Sequence, residues 1–360
     1  MRILQVNSTK NFGGGERHFV DICQGLRQKG HEVFAIVHPE NSWSERLSFL
    51  GENLIKLKIN NSLDFLSAFK IAKICREKEI ELIHAHPAKD YLPASLACRL
   101  LPKTKLFLTR HVLFPLSPFY KKALDNVTKV IAVSNSVLTE LEKVFPTEKI
   151  ALIPNGIRIE NWTNLNKNAR KSFLSFHKIP EDSFIVGTLG ELKELKGQIE
   201  FILAAKQVIA DFPHSFFVIV GQDHSITKHY KTKLKRLIKI LGLQNRILFL
   251  DWVEDTSEFF SSIDVFVSAS RNESFGLAIL EAMASGSAIV ATKTQGAIEL
   301  LDNASAKLVS VKDAVQIAEA IKFFLESESR RRQFGKNAQK KALNFSLEKT
   351  IESLEKIYQA

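Results

Sequence analysis

The stretch SRNESFGLAILEAMASG, residues 270–286, follows an apolar strand candidate at 265–267 and predicts a helix of apolar residues. Gly286 stands where such a helix can end, because glycine takes the left-handed conformation that follows a helix without steric cost. Strand, loop and helix in this order form the repeating unit of an α/β fold with a parallel sheet. The alternation begins at residue 3 and restarts in the second half, so a chain of 360 residues is expected to form two α/β domains.

Two carboxylates lie on either side of the start of this helix. Glu273 lies in the loop and Glu281 inside the helix, and the rise from Phe275 to Glu281 is about 9 Å. Helix side chains lean toward the N-terminus, so both carboxylates can face one ligand. Free N–H groups near Phe275, Gly276 and Leu277, with the positive end of the helix dipole, favour an anion between them. A sugar joined to a nucleoside through a diphosphate has this layout of hydroxyls, negative charge and ribose diol.

The alternative is an ordinary amphipathic helix with Glu281 on its solvent-exposed face. The residues around Glu281 are leucine, isoleucine, methionine and alanine, which favour burial. A buried carboxylate needs a partner. We therefore favour the ligand-binding interpretation.

The composition limits the classes of function. A net charge of +11 suits nucleic acid, anionic lipid or a phosphorylated substrate. Because no zinc-ligand pattern or RNA-module signature accompanies this charge, we expect no nucleic-acid partner. No apolar run has the length of a signal peptide or approaches the ~20 residues that span a bilayer, which predicts a cytosolic protein. Cys23, Cys75 and Cys98 have no metal-ligand spacing and are predicted to be reduced core residues.

Polar and glycine residues follow the strands of the first half. The run NFGGGERH at 11–18 follows the first strand, and Gly13 and Gly14 allow the backbone to approach a phosphate closely, although a plain tight turn is an alternative. Asp90 follows a strand at 80–86. It either orients an acceptor hydroxyl or caps a helix from Tyr91 to Leu100, and we favour the cap.

Three histidines require an interpretation. His84 and His86 share one face of their strand and resemble a metal pair, but no third ligand lies near them in the sequence, so we favour core histidines. His111 follows the strand at 105–110, at the end where α/β sheets bind ligands. From its position alone, a structural role is the alternative to a functional one.

The segment from Lys103 to Lys129 mixes phenylalanine, leucine and tyrosine with lysine and arginine. Basic residues beside exposed aromatic residues suit an anionic membrane surface. An ordinary helix with a solvated basic face explains the same pattern. The two interpretations stay open at this point.

The stretch at 270–286 resembles the Glu-x7-Glu motif of retaining nucleotide-sugar glycosyltransferases of family 4, which have the GT-B fold. Other landmarks of this family occur in order along nearly the whole chain. They are Gly-Gly-x-Glu at 13–16, Thr-Arg-His-Val at 109–112, Pro-Asn-Gly at 154–156, Lys-Gly at 196–197 and a glycine loop at 294–299.

The resemblance implies a role for each matching residue. Glu273 would hold the hydroxyls of the donor sugar, Glu281 the ribose, and His111 would contact the donor sugar at the reacting centre. Lys196 would neutralise the leaving diphosphate. The other residues that the resemblance places in the substrate site are Gly13, Gly14, Gly190, Val253, Phe275, Gly276, Leu277 and Gly296. Glu191 stands where the family has an arginine, and this charge reversal is the clearest departure; Lys193 is a candidate for the second cation.

The resemblance also implies the architecture. We expect a GT-B protein in which two Rossmann-like parallel-sheet domains face each other across a cleft. The first would comprise residues 1–160 and bind the acceptor, with a C-terminal helix at 346–360 packed back on it. The second would comprise residues 161–345 and bind the nucleotide-sugar, with a polar linker at 160–171.

The expected activity is retaining transfer of a hexose from a UDP- or GDP-sugar to an acceptor hydroxyl. A glycan or a lipid-linked acceptor of lipopolysaccharide or another cell-surface glycan is expected, on the inner face of the membrane. No Asp-x-Asp triplet occurs, so no metal or other cofactor is expected. The alternatives are a GT-B nucleotide-sugar epimerase and a nucleotide-sugar-binding protein that has lost catalysis.

Overall fold

The computed structural model describes residues 1–163, 168–251 and 255–360. The chain divides into two compact units. The first comprises Met1–Ile157 together with Leu347–Ala360, and the second comprises Arg158–Ser346.

The first unit alternates strands and helices. Its elements up to residue 157 are β1 (Arg2–Asn7), α1 (Gly14–Gln28), β2 (Glu32–Val37), β3 (Leu54–Lys56), α2 (Phe65–Glu77), β4 (Leu82–Ala85), α3 (Ala88–Arg99), β5 (Lys105–Arg110), α4 (Phe119–Ala123), β6 (Lys129–Ala132), α5 (Asn135–Glu142) and β7 (Ile150–Leu152).

The strands of the first unit, all of whose residues the structure describes, form a sheet in the order β3-β2-β1-β4-β5-β6-β7. Every neighbouring pair is parallel. The register aligns Gln5 of β1 with His84 of β4, and His84 with Phe107 of β5. Parallel strands buried on both faces are continuous apolar runs, which is the pattern of β2 after Glu32.

The second unit repeats this alternation. Its described elements are α6 (Glu160–Thr163), α7 (Ala169–Phe176), β8 (Phe184–Leu189), α8 (Gln198–Asp211), β9 (Ser215–Val220), α9 (His229–Ile240), β10 (Ile247–Leu250), α10 (Thr256–Ser262), β11 (Val265–Ser268), α11 (Leu277–Ala284), β12 (Ala288–Thr292), α12 (Gln295–Leu300), β13 (Lys307–Val309), α13 (Ala314–Leu325) and α14 (Glu328–Ala342).

Among the described residues of the second unit, the sheet order is β10-β9-β8-β11-β12-β13, again parallel throughout. In both sheets the order in which successive strands are added reverses beside the first strand, β1 or β8, as in Rossmann-like sheets. Ligands bind beyond the carboxyl ends of the strands at such a reversal. The two Rossmann-like parallel sheets confirm the predicted fold class.

The last helix, α15 (Leu347–Gln359), belongs to the first unit and packs against α1. Its apolar residues Ile351 and Leu354 are buried in the core beside Phe19 and Leu26. Burial of this apolar stripe is what holds a surface helix to its domain.

Two local expectations have clear outcomes. The three cysteines are free and buried, as predicted. The predicted polar linker at 160–171 is wrong in its described part, because Glu160–Thr163 and Ala169–Phe176 are helical. Trp162 is 3% exposed and anchors α6, a tertiary contact that the polar composition of the segment conceals.

Candidate active site

The stretch at 270–286 forms the predicted loop and helix that follow β11. Gly276 ends the loop with φ of 100°, and α11 begins at Leu277. Gly286 follows the helix with φ of 73°, in the left-handed region that only glycine enters without strain. Phe275 is 3% exposed and packs edge-to-face on Phe345. The loop therefore presents Glu273 just before the N-terminus of α11.

Lys196 and Glu273 form an ion pair. Lys196 ends a short 3-10 turn at Glu194–Lys196, and its Nζ lies 2.5 Å from Oε2 of Glu273. Ser270 Oγ donates to the same carboxylate oxygen over 3.4 Å. The side chains of Lys196 and Glu273 are only 26% and 17% exposed. A cation and a carboxylate thus meet at a partly buried position beside the free N–H groups of a helix.

Two predicted glycines lie against this pair. Gly190 follows β8, and a side chain there would lie 3.7 Å from Cδ of Lys196. Gly296, in α12, donates its N–H to the carbonyl of Glu273 over 2.9 Å. A Cβ atom at Gly296 would lie 2.5 Å from the carbonyl oxygen of Phe275, so only glycine fits between α12 and the loop.

A second charged contact, which the sequence analysis did not identify, fixes the base of the loop. Arg271 Nη2 donates to Oε1 of Glu200 over 2.7 Å, and Glu200 is 6% exposed. The Arg271 N–H also donates to the carbonyl of Leu195 over 2.8 Å. These bonds tie the loop to the turn that carries Lys196. An Arg–Glu pair 71 residues apart leaves no local pattern by which the sequence could reveal it.

Glu281 is buried, at 2% exposure, so the alternative of a solvent-exposed helix face is wrong. Its Oε2 accepts from Oγ1 of Thr256 over 2.9 Å. Thr256 Oγ1 in turn accepts from Trp162 Nε1 over 3.3 Å. Thr256 is the first residue of α10. Val253, which the resemblance places in the substrate site, lies outside the described residues.

Glu191, where the family resemblance expects arginine, pairs with Lys193 through its Oε2. The backbone carbonyl of Glu191 accepts from Gln198 Nε2 over 2.9 Å. The loop after β8 therefore contributes Lys193 to a pair with Glu191 and Lys196 to a pair with Glu273.

In the first unit, the glycine run lies at the start of α1. Gly13 is the N-cap residue and Gly14 the first residue of the helix. Glu16 accepts from Oγ1 of Thr9 over 2.9 Å, and burial raises the pKa of its carboxyl above its usual value. Glu16 therefore ties the glycine run to the end of β1.

The predicted capping role of Asp90 is wrong. The helix α3 begins at Ala88 after Pro87, which leaves Asp90 inside its first turn. Asp90 is fully buried, and its carboxylate accepts from the N–H of Ser8 over 2.8 Å and from the Ser8 hydroxyl. Burial raises the pKa of Asp90 to about 6. Its side chain holds the loop after β1 in place.

His111 stands next to the glycine run. A side chain at Gly15 would lie 3.9 Å from Cγ of His111, and the ring of His18 packs edge-to-face on His111 with centroids 5.3 Å apart. Burial, helped by Arg110, lowers the pKa of His111 to about 4. The imidazole is therefore neutral at physiological pH.

His84 and His86 are core histidines, as predicted. His84 bonds Tyr358 through Nδ1 and Thr109 through Nε2, each over 2.6 Å. His86 bonds Gln5 over 2.8 Å. Among the described residues, no group of three histidine, cysteine or acidic side chains could hold a metal ion.

The structure thus gathers the predicted residues into two groups, one in each unit. In the second unit, Lys196, Glu273, Gly190, Phe275, Gly276 and Gly296 are contiguous, and Glu281 lies farther along α11, where it is bonded to Thr256. In the first unit, Gly13, Gly14 and His111 surround the start of α1, and Asp90 supports the loop that precedes it.

Two family models match the chain in sequence order. "Glycosyltransferase Family 4" matches residues 12–161, and "Glycosyl transferases group 1" matches residues 170–341. The chain belongs to glycosyltransferase family 4. The matches contain both groups of candidate site residues.

Relatives and solved structures agree with this assignment. The lipopolysaccharide core biosynthesis glycosyltransferase LpsE of Rhizobium meliloti is 24% identical over 89% of this chain and 87% of its own length. The N-acetyl-alpha-D-glucosaminyl L-malate synthase of Bacillus anthracis is 25% identical over 96% of this chain and 93% of its own. The Anabaena protein HepE, solved in complex with UDP-glucose, superimposes with a TM-score of 0.86 at 22% identity over the full length of both chains.

The family 4 protein is therefore a glycosyltransferase with the GT-B fold. Of the functions that the sequence left open, the comparisons favour the transferase over the epimerase and the binding protein.

Proposed function

We propose that this glycosyltransferase moves a hexose from a UDP- or GDP-sugar to an acceptor hydroxyl, with retention of the anomeric configuration and without a bridging metal. The observation that carries the proposal is the Lys196–Glu273 pair, 2.5 Å apart at the N-terminus of α11. A diphosphate would compete with Glu273 for the ammonium group of Lys196 and would receive the N–H groups of the helix. Glu273 would then be released to accept hydrogen bonds from sugar hydroxyls.

The bond changes of the proposed reaction balance without a further reactant. The bond from the sugar C1 to the diphosphate oxygen breaks, and a bond from C1 to the acceptor oxygen forms on the same face of the ring. The acceptor proton passes to the departing phosphate oxygen. Lys196 and the dipole of α11 stabilise the negative charge that develops on the leaving group. The absence of an Asp-x-Asp triplet from the sequence supports charge neutralisation by protein groups alone.

The relatives support the substrate classes. HepE is solved with UDP-glucose, and LpsE is a lipopolysaccharide core enzyme. We propose a UDP- or GDP-sugar as donor and a glycan or lipid-linked acceptor of a cell-surface polymer. The buried Glu281 carboxylate, bonded to Thr256, would hold the ribose diol of the donor.

The donor can be identified by thermal stabilisation with UDP, GDP, ADP and CDP. One of UDP or GDP is expected to raise the Tm by several degrees, because a ligand that binds only the folded state stabilises it by mass action. The Glu281→Ala variant should lose this shift, whereas Glu319→Ala, which removes an exposed carboxylate of the same unit, should retain it. Release of the nucleoside diphosphate from the matching sugar donor, with acceptor present, then measures transfer.

Each contrary outcome has a separate meaning. An equal shift in Glu281→Ala would refute the ribose role of Glu281. A shift without any turnover across a screen of sugars and acceptors would favour the binding protein over the enzyme. No shift with any of the four nucleotides would contradict the proposed donor class.

A surface of the first unit supports peripheral binding to an anionic membrane. Phe65, Leu66 and Phe69 on α2 are 57% to 75% exposed, and Phe119 on α4 is 60% exposed. Large apolar side chains grouped on one surface mark an interaction site. The hydroxyl of Tyr120 on α4 lies 3.4 Å from that of Ser62, just before α2, so the two helices are neighbours.

Lysines surround these apolar side chains. Lys121 and Lys122 of α4 and Lys70 and Lys73 of α2 all lie at exposed or mostly exposed positions. Each lysine near an anionic surface contributes about 1 kcal/mol of attraction. We name α2 and α4 together the apolar-basic surface and propose that it holds the enzyme at a membrane that carries its acceptor. Among the described residues, the structure has no helix with the length and apolarity of a membrane span.

Neutralising two lysines should weaken membrane binding. The variant Lys121→Gln with Lys122→Gln is expected to bind phosphatidylglycerol-containing liposomes about tenfold or more weakly, because two charges contribute roughly 2 kcal/mol. Co-sedimentation at fixed salt measures the effect. The matched control is Lys235→Gln with Lys239→Gln on the exposed face of α9, which carries the same change in net charge. Equal binding by both double variants would refute the proposed surface.

A further inference from the structure

The loop before α11 lies directly against the short turn that carries Lys196. The N–H of Arg271 in the loop donates to the carbonyl oxygen of Leu195 over 2.8 Å. On the other side of Lys196, Gly197 has φ of 69°, and a Cβ atom there would lie 1.9 Å from the carbonyl oxygen of Ala269. Backbone contacts on both sides of Lys196 therefore join the turn to the loop.

One guanidinium group extends this contact to α8. Nε and Nη2 of Arg271 both donate to Oε1 of Glu200, over 3.1 and 2.7 Å, and Nη1 lies 3.6 Å from Oε1 of Glu194. Glu194 begins the turn, and Glu200 lies in the first turn of α8, which follows it. Arg271 thus contacts both ends of the segment in which Lys196 lies.

The pair of Arg271 and Glu200 is shielded from solvent. Their side chains are 22% and 7% exposed, so salt and water screen this pair less than an exposed one. Because two N–H groups of a planar guanidinium converge on one oxygen, the pair also restricts the orientation of the Arg271 side chain. Burial, helped by the carboxylate of Glu200, raises the pKa of Tyr230 on α9 to about 12, so this neighbouring hydroxyl stays neutral and adds no competing charge.

We propose that Glu200 is a positioning residue of the transferase, which acts through Arg271 to hold the loop that carries Glu273 against the turn that carries Lys196. The cation and the carboxylate of the candidate site are then fixed before a donor binds, and preorganised charge costs no rearrangement during the reaction. Glu200 itself needs no contact with a substrate for this role. The catalytic consequence rests on the proposed function, whereas the restraint of the loop does not.

Hydrogen exchange tests the restraint in the free protein. Glu200→Met removes the acceptor with little change in volume and leaves the guanidinium without this carboxylate. The amide of Arg271, bonded to Leu195 in the native protein, is expected to exchange about tenfold faster or more, because local opening becomes easier. The change should be confined to residues 194–200 and 269–276. An unchanged exchange rate there, or an equal rise throughout the second unit, would overturn the proposal.

Kinetics test the consequence for catalysis. Glu200→Met should lower kcat by about 10- to 100-fold, because displacement of a contacting group from its productive geometry costs this much. The KM for the donor should change by less than about threefold, since the flexible stem of Lys196 can still follow a bound diphosphate. Glu200→Gln, whose amide oxygen can accept from Arg271, should recover part of the loss in kcat.

A double-mutant cycle shows whether Glu200 acts through Arg271. Glu200→Met combined with Arg271→Met should be no slower than the slower of the two single variants, because residues that act as one unit give non-additive losses. Losses in kcat that multiply would show two independent effects and would contradict the positioning role.

The matched control is an ion pair at the other end of β11. Nη2 of Arg170 lies 3.0 Å from Oδ2 of Asp264, which directly precedes β11, and both side chains are partly buried. Arg170→Met should lower the Tm but leave kcat and the exchange rate at residues 269–276 unchanged. Equal losses of kcat in Arg170→Met and Glu200→Met would reduce Glu200 to a role in stability and refute this inference. If the native protein transfers no sugar from any donor, the proposed function fails, and the exchange measurement still decides whether Glu200 restrains the loop.

Discussion

Replacing Lys196 with methionine is expected to lower kcat of sugar transfer by about a thousandfold, or roughly 4 kcal/mol of transition-state stabilisation. Lys196 is the cation that Glu273 holds at the N-terminus of α11, 2.5 Å from the carboxylate. The diphosphate gains further negative charge as its bond to the sugar C1 breaks, so the loss should appear in kcat more than in KM. Initial rates of nucleoside diphosphate release at saturating donor measure it.

Two further variants show whether the loss is electrostatic. Lys196→Arg keeps the charge and should retain a larger share of kcat, although its planar guanidinium places the charge differently. Lys206→Met removes an exposed lysine from α8 and should leave kcat unchanged. A loss of less than tenfold in Lys196→Met would show that another group, with Lys193 the first candidate, neutralises the leaving group.

Acidification from pH 6.5 to 5 is expected to destabilise the first unit by several kcal/mol. The folded-state pKa values of His18, His84, His86 and His111 all lie below the usual value of about 6.5, because burial disfavours the charged ring. Below pH 6.5 the unfolded chain therefore binds protons that the folded chain does not. The four neutral histidines therefore contribute to the stability of the folded state above pH 6.5, and this contribution is lost as the pH falls toward about 4.

The size of this effect follows from linkage. Each histidine costs about 1.4 kcal/mol per pH unit in this range, so four of them cost on the order of 8 kcal/mol over 1.5 units. Asp90 opposes this, because its folded pKa is raised to about 6 and protonation at lower pH restores roughly 1 to 2 kcal/mol. The remainder is comparable to the total stability of a domain, about 5 to 15 kcal/mol.

Urea unfolding at pH 7, 6, 5.5 and 5 measures the slope of the unfolding free energy against pH. His84→Asn should reduce this slope by about one proton, or 1.4 kcal/mol per unit, even if it lowers the stability at pH 7. His229→Gln, an exposed histidine of the second unit, should leave the slope unchanged. A flat dependence between pH 7 and 5.5 would contradict the burial of neutral imidazoles.

Local sequence patterns were sufficient to predict the order of the strands and helices along the chain. The strand before residue 270, the helix from Leu277 and its end at Gly286 were predictable, because apolar periodicity and glycine conformations act over a few residues. The same holds for α1 and for the parallel class of both sheets, which follows from the strand–helix alternation.

The sequence also predicted that most candidate site residues lie in loops after strands, since ligands bind at the carboxyl ends of parallel strands. The predictions from sequence were wrong where a residue type or a composition is compatible with two different structural roles. Asp90 has the residue type of a helix cap, but α3 begins earlier and the carboxylate bonds Ser8, 82 residues away. The polar run at 160–171 has the composition of a linker, yet Trp162 is buried on Thr256.

Local sequence patterns and family motifs predicted the fold class, the family and the candidate roles of Glu273, Glu281, Lys196 and His111. Which side chains are in contact depends on the folded structure. The pairing of Lys196 with Glu273 across 77 residues depends on how the strands of a sheet are ordered, and so does the contact of His86 with His111 across 25. Strand order is set by the packing of whole cores, a property of the complete chain that local propensities do not encode.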